Sequence, residues 1–308
     1  MYLIKLFPKK DSKFVFGNSF YDSSKIIFHS DSLASAIINN LISINREVSI
    51  ENFPKISSLF YGVCGKKDVL FIPLVRTKEM KSKIDILKKQ HEDQKLAKKI
   101  KFQSIESLFS DDLIVTSNKK YLVTREEFDY ISNIDFLYFL NDQLKNNIDK
   151  NSESVLEEGG LYDIEYLTLE KNVFFYFIAE EIDSIKKGID LIKINGLGGR
   201  RSIGYGEIDH IEYSKINFLE EGDKYLSLSV IFFKDSSEFE KVESYEIYKS
   251  RGFIGYPVWN HRTKEILGVM EGAILSDKIE GKNFENVAPE SLNVKIPRIG
   301  KPLLIKVK

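Results

Sequence analysis

Apolar and polar positions alternate over residues 1–7 and the pattern stops at Pro8, which predicts an opening strand rather than a cleaved leader. A loop containing Gly17-Asn18-Ser19 follows, then a short extended piece around Ile26-Ile27-Phe28. Leu33, Ile37, Ile38 and Leu41 fall at i, i+4, i+5 and i+8, the stripe of a helix with one buried face. Ser30 or Asp31 is placed to cap it, because either side chain accepts a hydrogen bond from an orphan backbone N–H. Residues 69–75 read as a strand. Between Lys81 and Lys101 the chain is polar, with a thin stripe of Ile84, Leu87, Leu96 and Ile100, and reads as either a helix or a mobile insertion. Residues 146–160 are polar and acidic and read as a loop. Residues 161–169 alternate, residues 173–178 are continuously apolar, and Lys171-Asn172 between them predicts a hairpin. Residues 179–191 carry Ile182, Ile185 and Ile189 on one face, with Ile192 next in line, which predicts a second helix; residues 205–213 predict a closing strand.

Strand, helix, hairpin, helix, strand is the β-α-β-β-α-β order of a ferredoxin-like or RRM-like unit. A large insertion, about residues 60–155, separates the first helix from the hairpin. Residues 216–308 show further strands at 225–233, 246–254, 268–275 and 303–308, with no clear helix. The expected fold class is therefore α+β, with two RRM-like (ferredoxin-like) domains: 1–215, carrying the insertion, and a degenerate 216–308.

Composition narrows the classes. The chain has 308 residues, 43% hydrophobic and 12% aromatic, which argues against disorder. The longest clean apolar run is residues 173–179, far short of the ~20 residues of a membrane span. Cys64 is the only cysteine, which excludes an internal disulfide and a cysteine zinc site and points to the cytoplasm. No metal or cofactor is expected. Net charge is −1, so an affinity for nucleic acid requires locally gathered charge. Residues 76–101 hold ten basic side chains against Glu79, Asp85, Glu92 and Asp93, and residues 142–190 hold twelve acids against five lysines. Either stretch also suits a plain solvated face.

The most unusual stretch is Asn195-Gly196-Leu197-Gly198-Gly199-Arg200-Arg201-Ser202-Ile203-Gly204-Tyr205-Gly206. Five of the 18 glycines fall within it, where ordinary usage would place about one. Clustered glycines admit positive φ and let another backbone approach, and successive N–H groups can cradle an anion. Arg200 and Arg201 can each grip a phosphate through paired hydrogen bonds, Ser202 adds a hydroxyl, and Tyr205 offers a ring for a base. Gly199 and Gly204 match the glycine spacing of a P-loop, but Tyr205 stands where the lysine belongs. A dinucleotide loop runs from strand to helix, whereas this one runs from helix to strand. An ordinary glycine-rich turn is the remaining reading, and it needs neither arginine.

This loop resembles the Gly-x-Gly-Gly-Lys/Arg-x-x-x-Gly-x-Gly pattern found near the last strand of an RRM-like domain in RAMP-superfamily proteins of CRISPR systems, and fits it in full. Three further stretches resemble one member, the subunit that caps the 5′ end of the guide RNA in type III-A (Csm) effector complexes. They are Tyr21-Asp22-Ser23-Ser24-Lys25-Ile26-Ile27-Phe28-His29-Ser30-Asp31-Ser32-Leu33; Tyr248-Lys249-Ser250-Arg251-Gly252-Phe253 with Met270-Glu271-Gly272-Ala273; and the C-terminal Gly281, Val287-Ala288-Pro289 and Gly300-Lys301-Pro302-Leu303. The resemblance does not extend over about residues 60–155. The chain departs from the family at Val75-Arg76-Thr77-Lys78, where a proline-rich stretch is usual, and around Leu292-Asn293-Val294, where a histidine is usual.

The resemblance implies a non-catalytic scaffold that binds the repeat-derived 5′ tag of the guide and meets a large polymerase-like subunit on one side and a repeated backbone subunit on the other. The expected RNA contacts are Gly196, Gly198, Gly199, Arg200, Arg201, Ser202, Gly204, Tyr205 and Gly206; Ser30, Asp31 and Ser32 at a helix N-terminus; and Lys249, Ser250, Arg251 and Phe253. For the helix residues taken one by one, capping is the simpler role, and for Phe253 a place in the core is the other reading. Residues 76–101 are expected to wedge the guide or to meet a neighbouring subunit. Two alternatives stay open. His29 suits an endoribonuclease that processes guide precursor by general acid–base chemistry, although no second histidine lies near it. A pure interaction protein would use the acidic stretch 142–190 against a basic partner.

Overall fold

The computed structural model describes residues 1–17, 25–131, 134–146, 161–218, 221–252, 254 and 261–307. The strand Val173–Ala179 organises the rest. All seven of its residues are buried, so it has to lie between two layers. Strand Tyr2–Pro8 pairs with it on one edge and strand Phe60–Val63 on the other, both antiparallel. Strand Ile208–Lys215 pairs with the far side of Tyr2–Pro8. Strands Val69–Pro73, Phe102–Ser104, Tyr121–Thr124 and Leu113–Val115 then extend the sheet to eight, in the order 208–215, 2–8, 173–179, 60–63, 69–73, 102–104, 121–124, 113–115.

Alternation along the central strand decides what each layer touches. Val173, Phe175, Phe177 and Ala179 point to a core closed by Leu33, Ile37, Ile38 and Leu41 of helix Ser30–Ser43 and by Ile182, Ile185, Ile189 and Ile192. Phe174, Tyr176 and Ile178 point the other way, into a core shared with Leu226, Leu228, Ile274, Leu303, Ile305 and Val307. Those residues belong to the C-terminal part, in or beside a four-stranded antiparallel sheet ordered 242–244, 274–275, 224–227, 304–307. The two sheets therefore pack face to face. Each large apolar side chain sealed between them contributes about 1.5–3 kcal/mol. Gly62, the register partner of Phe174, leaves room for that ring: a Cβ there would come 2.4 Å from it.

Several expectations change. Residues 161–169 and 173–178 are not a hairpin. Leu161–Leu169 pairs along its whole length with Tyr138–Asn146 in a separate two-stranded ribbon, and the turn at Glu170–Asn172, with Asn172 at φ 66°, carries the chain from ribbon to sheet. The alternating pattern identified a strand but could not say which neighbour it pairs with. Phe60–Val63 is the strand that pairs with 173–179 opposite Tyr2–Pro8, so part of the stretch expected as an insertion, about 60–155, builds the main sheet. The expected helix 179–191 shortens to Lys186–Asp190, followed by Ile192–Asn195, because Ala179 still pairs with Tyr2 and Glu181 accepts hydrogen bonds from the Asp183 N–H and the Ser184 hydroxyl in a turn. The lysine-rich stretch is a helix, Lys78–Gln90, capped by Thr77, whose hydroxyl accepts from the Met80 N–H at 3.0 Å; a second helix, Leu96–Lys99, follows it. Met80, Ile84, Leu87, Leu96 and Ile100 bury its thin stripe. Among the described residues of the C-terminal part, Ser236–Glu240 forms a five-residue helix, where none was expected. The expected strand 268–275 breaks into Ile266–Val269 and Ile274–Leu275 around Gly272, at φ 92°.

Candidate nucleic-acid interface

The glycine-rich segment is a loop fastened at its root and open at its tip. The Leu197 N–H donates to the Gly206 carbonyl at 2.9 Å, the Gly206 N–H to Lys13 at 2.7 Å and the Gly199 N–H to Val15 at 2.8 Å. Gly196, Gly198, Gly204 and Gly206 all have positive φ. A Cβ at Gly206 would sit 2.1 Å from the Leu197 carbonyl oxygen, and one at Gly198 would sit 2.7 Å from that of Val15. These two glycines close the root by letting backbones meet. At the tip, Arg200 itself adopts φ 59°, and Arg201–Ile203 form a single exposed turn. Arg200, Arg201, Ser202 and Gly204 are exposed. The Arg200 guanidinium lies 5.5 Å from the centre of the Tyr162 ring on the ribbon, and Arg201 Nη1 donates to the Asn195 carbonyl at 3.3 Å.

Tyr205 does not offer its ring to a ligand. It is only 6% exposed and packs edge-on to Tyr166, and its hydroxyl donates to Gln143 Oε1 at 2.9 Å. Lys13 donates to the same oxygen at 3.1 Å and sits 4.6 Å from the centre of the Tyr166 ring. Tyr205 therefore clamps the loop to the ribbon. Its neighbours Lys13, Gln143 and Tyr162 lie far from it in sequence, so nothing local in the chain announced them.

Three of the other expected contacts, Ser30, Asp31 and Ser250, are internal. Ser30 is 2% exposed, Asp31 1% and Ser250 4%. The Tyr248 hydroxyl donates to Asp31 Oδ1 at 2.9 Å and the Ser250 hydroxyl to Asp31 Oδ2 at 2.7 Å. Ser30 accepts from the Val230 N–H at 3.0 Å, while its own N–H donates to Ser58 Oγ at 2.9 Å. Their expected role on RNA is replaced by a buried latch between the helix N-terminus and the C-terminal part. Neither caps the helix: both lie within it, and His29 holds the cap position without a side-chain bond. Ser32 is half-buried and bonds to Asp31 Oδ1. Strand alternation separates Tyr248 and Ser250, which face inward, from Lys249 and Arg251, which face out. Lys249 lies 3.7 Å from Glu265. Phe253 lies outside the described residues, as do residues 21–24 and 147–160.

His29 completes the latch. Its Nδ1 sits 3.1 Å from Glu271 Oε1, and Ser58 Oγ donates to Glu271 Oε2 at 2.9 Å. Burial by itself would lower the imidazole pKa, but the adjoining Glu271 carboxylate outweighs it and the net shift is upward. Burial pushes the Glu271 carboxyl up, and the charge and hydrogen bond of His29 bring it below its ordinary value. The two form a buried ion pair.

The latch and the loop lie at opposite ends of helix Ser30–Ser43. Asn195, just before the loop, donates to Asn40 at 2.8 Å, nine residues or about 14 Å along the axis from Asp31. Among the described residues no cluster of ligands could hold a metal ion, and no helix is long and apolar enough to cross a membrane.

Known proteins of similar sequence and fold give the context. Residues 220–307 match the family described as the CRISPR Csm4 C-terminal domain. The chain is 29% identical to the CRISPR system Cms protein Csm4 of Methanocaldococcus jannaschii, an alignment covering 99% of this chain and 97% of the relative. It is 25% identical to the protein of the same name from Streptococcus thermophilus, over 95% of each. Its fold matches a chain in the crystal structure of a Csm3–Csm4 subcomplex from a type III-A CRISPR–Cas interference complex, with a TM-score of 0.70 and 23% identity over the full length of both. A chain of a Csm1–Csm4 cassette bound to cA4 matches with a TM-score of 0.59 and 12% identity over 100% of this chain and 97% of that one. Residues 220–307 therefore carry the Csm4 C-terminal domain, and the end-to-end alignments, which cover the glycine-rich loop and the latch as well, make the whole chain similar to Csm4 proteins of CRISPR systems.

Proposed function

We propose that the chain is a non-catalytic, RNA-binding scaffold subunit of a type III-A CRISPR effector complex in the cytoplasm. It holds the repeat-derived 5′ tag of the guide RNA and bridges the large polymerase-like subunit, Csm1, and the repeated backbone subunit, Csm3. The observation that carries this reading is the glycine-rich loop, whose root is pinned by backbone bonds while Arg200, Arg201 and Ser202 project from its tip. Two guanidiniums on an anchored turn suit a phosphodiester backbone, since little conformational freedom is lost on binding. Likeness in fold to chains of Csm3–Csm4 and Csm1–Csm4 assemblies supports the two protein partners.

We also read each half as an RRM-like domain, 1–215 and 216–308. The strands 208–215, 2–8, 173–179 and 60–63 run fourth, first, third, second along the sheet; 304–307, 224–227, 274–275 and 242–244 repeat that order. In the second half, Ser236–Glu240 stands where a first helix belongs. The buried His29–Glu271 pair counts against precursor cleavage, because a general acid must reach the proton it transfers.

The test is binding of the purified chain to a labelled repeat 5′-tag RNA across a salt series, wild type against Arg200→Ala/Arg201→Ala, with gels read for cleavage. Loss of two phosphate contacts on a single strand should make the slope of log K against log salt shallower by about 1.4. An unchanged slope, or cleavage products that vanish in His29→Ala, would defeat the scaffold reading.

A further inference from the structure

A second surface combines positive charge with exposed aromatic rings, away from the glycine loop. Strands Phe102–Ser104 and Tyr121–Thr124 begin side by side, the Lys101 N–H donating to the Lys120 carbonyl at 2.8 Å. The base of the ribbon passes over this edge and leaves a groove of about 220 Å³. Phe102 and Tyr121 form its floor, Phe136 and Phe139 its wall, and Lys101 and Lys120 its rim. The Lys120 ammonium lies 4.0 Å from the centre of the Phe136 ring, and the two phenylalanine rings are 5.2 Å apart. Phe139 is 37% exposed although it sits in a strand. At ~30 Å³ per water the groove holds roughly seven waters, room for one planar base.

Lys101 and Lys120 are the charged residues that line the groove, and no acid is among its lining residues. Lys99 and Lys119 both bond to Asp93, at 2.6 and 2.9 Å. Lys101 and Lys120 are in no ion pair among the described residues.

We propose that this groove binds one unpaired base of a single-stranded RNA, stacked on Phe139, with Lys101 and Lys120 on the flanking phosphates. Stacking needs only the flat face every base has, so the site is tolerant of sequence. A duplex hides its base faces and does not fit. A single strand is favoured over an acidic peptide because the lining sets two lysines beside aromatic rings, so that one ligand must offer both a flat face and a negative charge, as every nucleotide does. The proposal extends the scaffold reading, but its residues are separate from the loop. The ribbon joins the two sites: Phe139 lies six residues, about 20 Å, from Lys145, which pairs with the Tyr162 under Arg200.

The experiment is photo-crosslinking of the full chain to a ten-nucleotide RNA of scrambled sequence carrying one 4-thiouridine, with cross-links mapped by mass spectrometry. A cross-link within residues 136–140 is expected. Phe139→Ala should lower its yield about fivefold or more, Lys101→Glu/Lys120→Glu should abolish it, and Phe139→Tyr should retain it. An absent cross-link at 136–140, a yield indifferent to these substitutions, or equal competition by duplex RNA would overturn the site. Displacement by an acidic, phenylalanine-bearing peptide more readily than by unlabelled RNA would assign the groove to a protein and also overturn it. Repeating the mapping in Arg200→Ala/Arg201→Ala separates the two claims, because the loop reading fails if that variant cross-links at the loop like wild type, whatever happens at the groove.

Discussion

Replacing His29 by alanine tests the latch directly. The side chains of His29 and Glu271 are 8% and 2% exposed, so solvent screens neither. Removing one member of a buried ion pair costs about 3–5 kcal/mol, because the other charge stays behind without its partner. Ser58 still donates to Glu271, which places the expected loss near the lower end, about 3 kcal/mol. Removing both charges in His29→Leu/Glu271→Met should recover most of that loss, since an apolar pair of similar size is often as stable. The pH dependence has a definite sign. His29 has a folded pKa above its ordinary 6.5, so its contribution is full below that value and is lost as pH rises through the folded pKa. Glu271 has a folded pKa below its ordinary 4.5, so its contribution is full above that value and is lost as pH falls through the folded one. The pair stabilises most between about pH 4.5 and 6.5. Urea unfolding of wild type, His29→Ala, the double variant and His29→Gln at pH 6 and pH 9 measures this. Wild type should lose stability relative to His29→Gln on going to pH 9. A cost below about 1 kcal/mol for His29→Ala, or a double variant no better than the single one, would refute the reasoning.

Two further substitutions probe loop and core. Gly206→Ala should weaken RNA binding without touching an arginine, because its Cβ meets the Leu197 carbonyl at 2.1 Å. Gly204→Ala, with φ 86° but open space around it, should cost only about 1–2 kcal/mol; thermal melts and the salt series distinguish them. Phe174→Ala should destabilise the whole chain by about 3–5 kcal/mol in one unfolding transition, since its ring lies in the core the two sheets share. Two separated transitions in that variant would show that the halves fold independently.

Local signals in the sequence reached as far as local structure does. The stripe of Leu33, Ile37, Ile38 and Leu41 gave the first helix, and the apolar run 173–179 gave the central strand, because burial on one or both faces writes itself into the period of the chain. The glycine loop was legible because positive φ and close backbone approach demand glycine. Pairing was not legible. Residues 161–169 alternate equally well for either neighbour, and the choice between 138–146 and 173–179 rests on contacts far away in sequence. Burial of short polar residues was hidden for the same reason. Ser30, Asp31 and Ser250 read as surface groups, and only the approach of Tyr248, Ser58 and Val230 from distant segments makes a place for them inside. Tyr205 shows the converse: an aromatic beside arginines suggests stacking on a base, yet Gln143 and Tyr166 on the ribbon had already taken its hydroxyl and its ring.

The latch also bears on the surface it was expected to form. Asp31 draws Tyr248 and Ser250 inward, and strand geometry then turns Lys249 and Arg251 outward. Asp31 and Asn40 lie on one helix, with Asn40 bonded to the residue before the glycine loop, so that helix fixes the separation between the outward Lys249 and Arg251 and the tip arginines Arg200 and Arg201. A rigid separation lets two basic patches engage one strand with the second contact effectively intramolecular, at a local concentration set by geometry rather than by solution. Asp31→Ala removes no charge that faces RNA. If the two patches work together, it lowers affinity for a long tag RNA while leaving affinity for a strand too short to reach both patches unchanged; an equal loss for both lengths would place the effect in the loop itself.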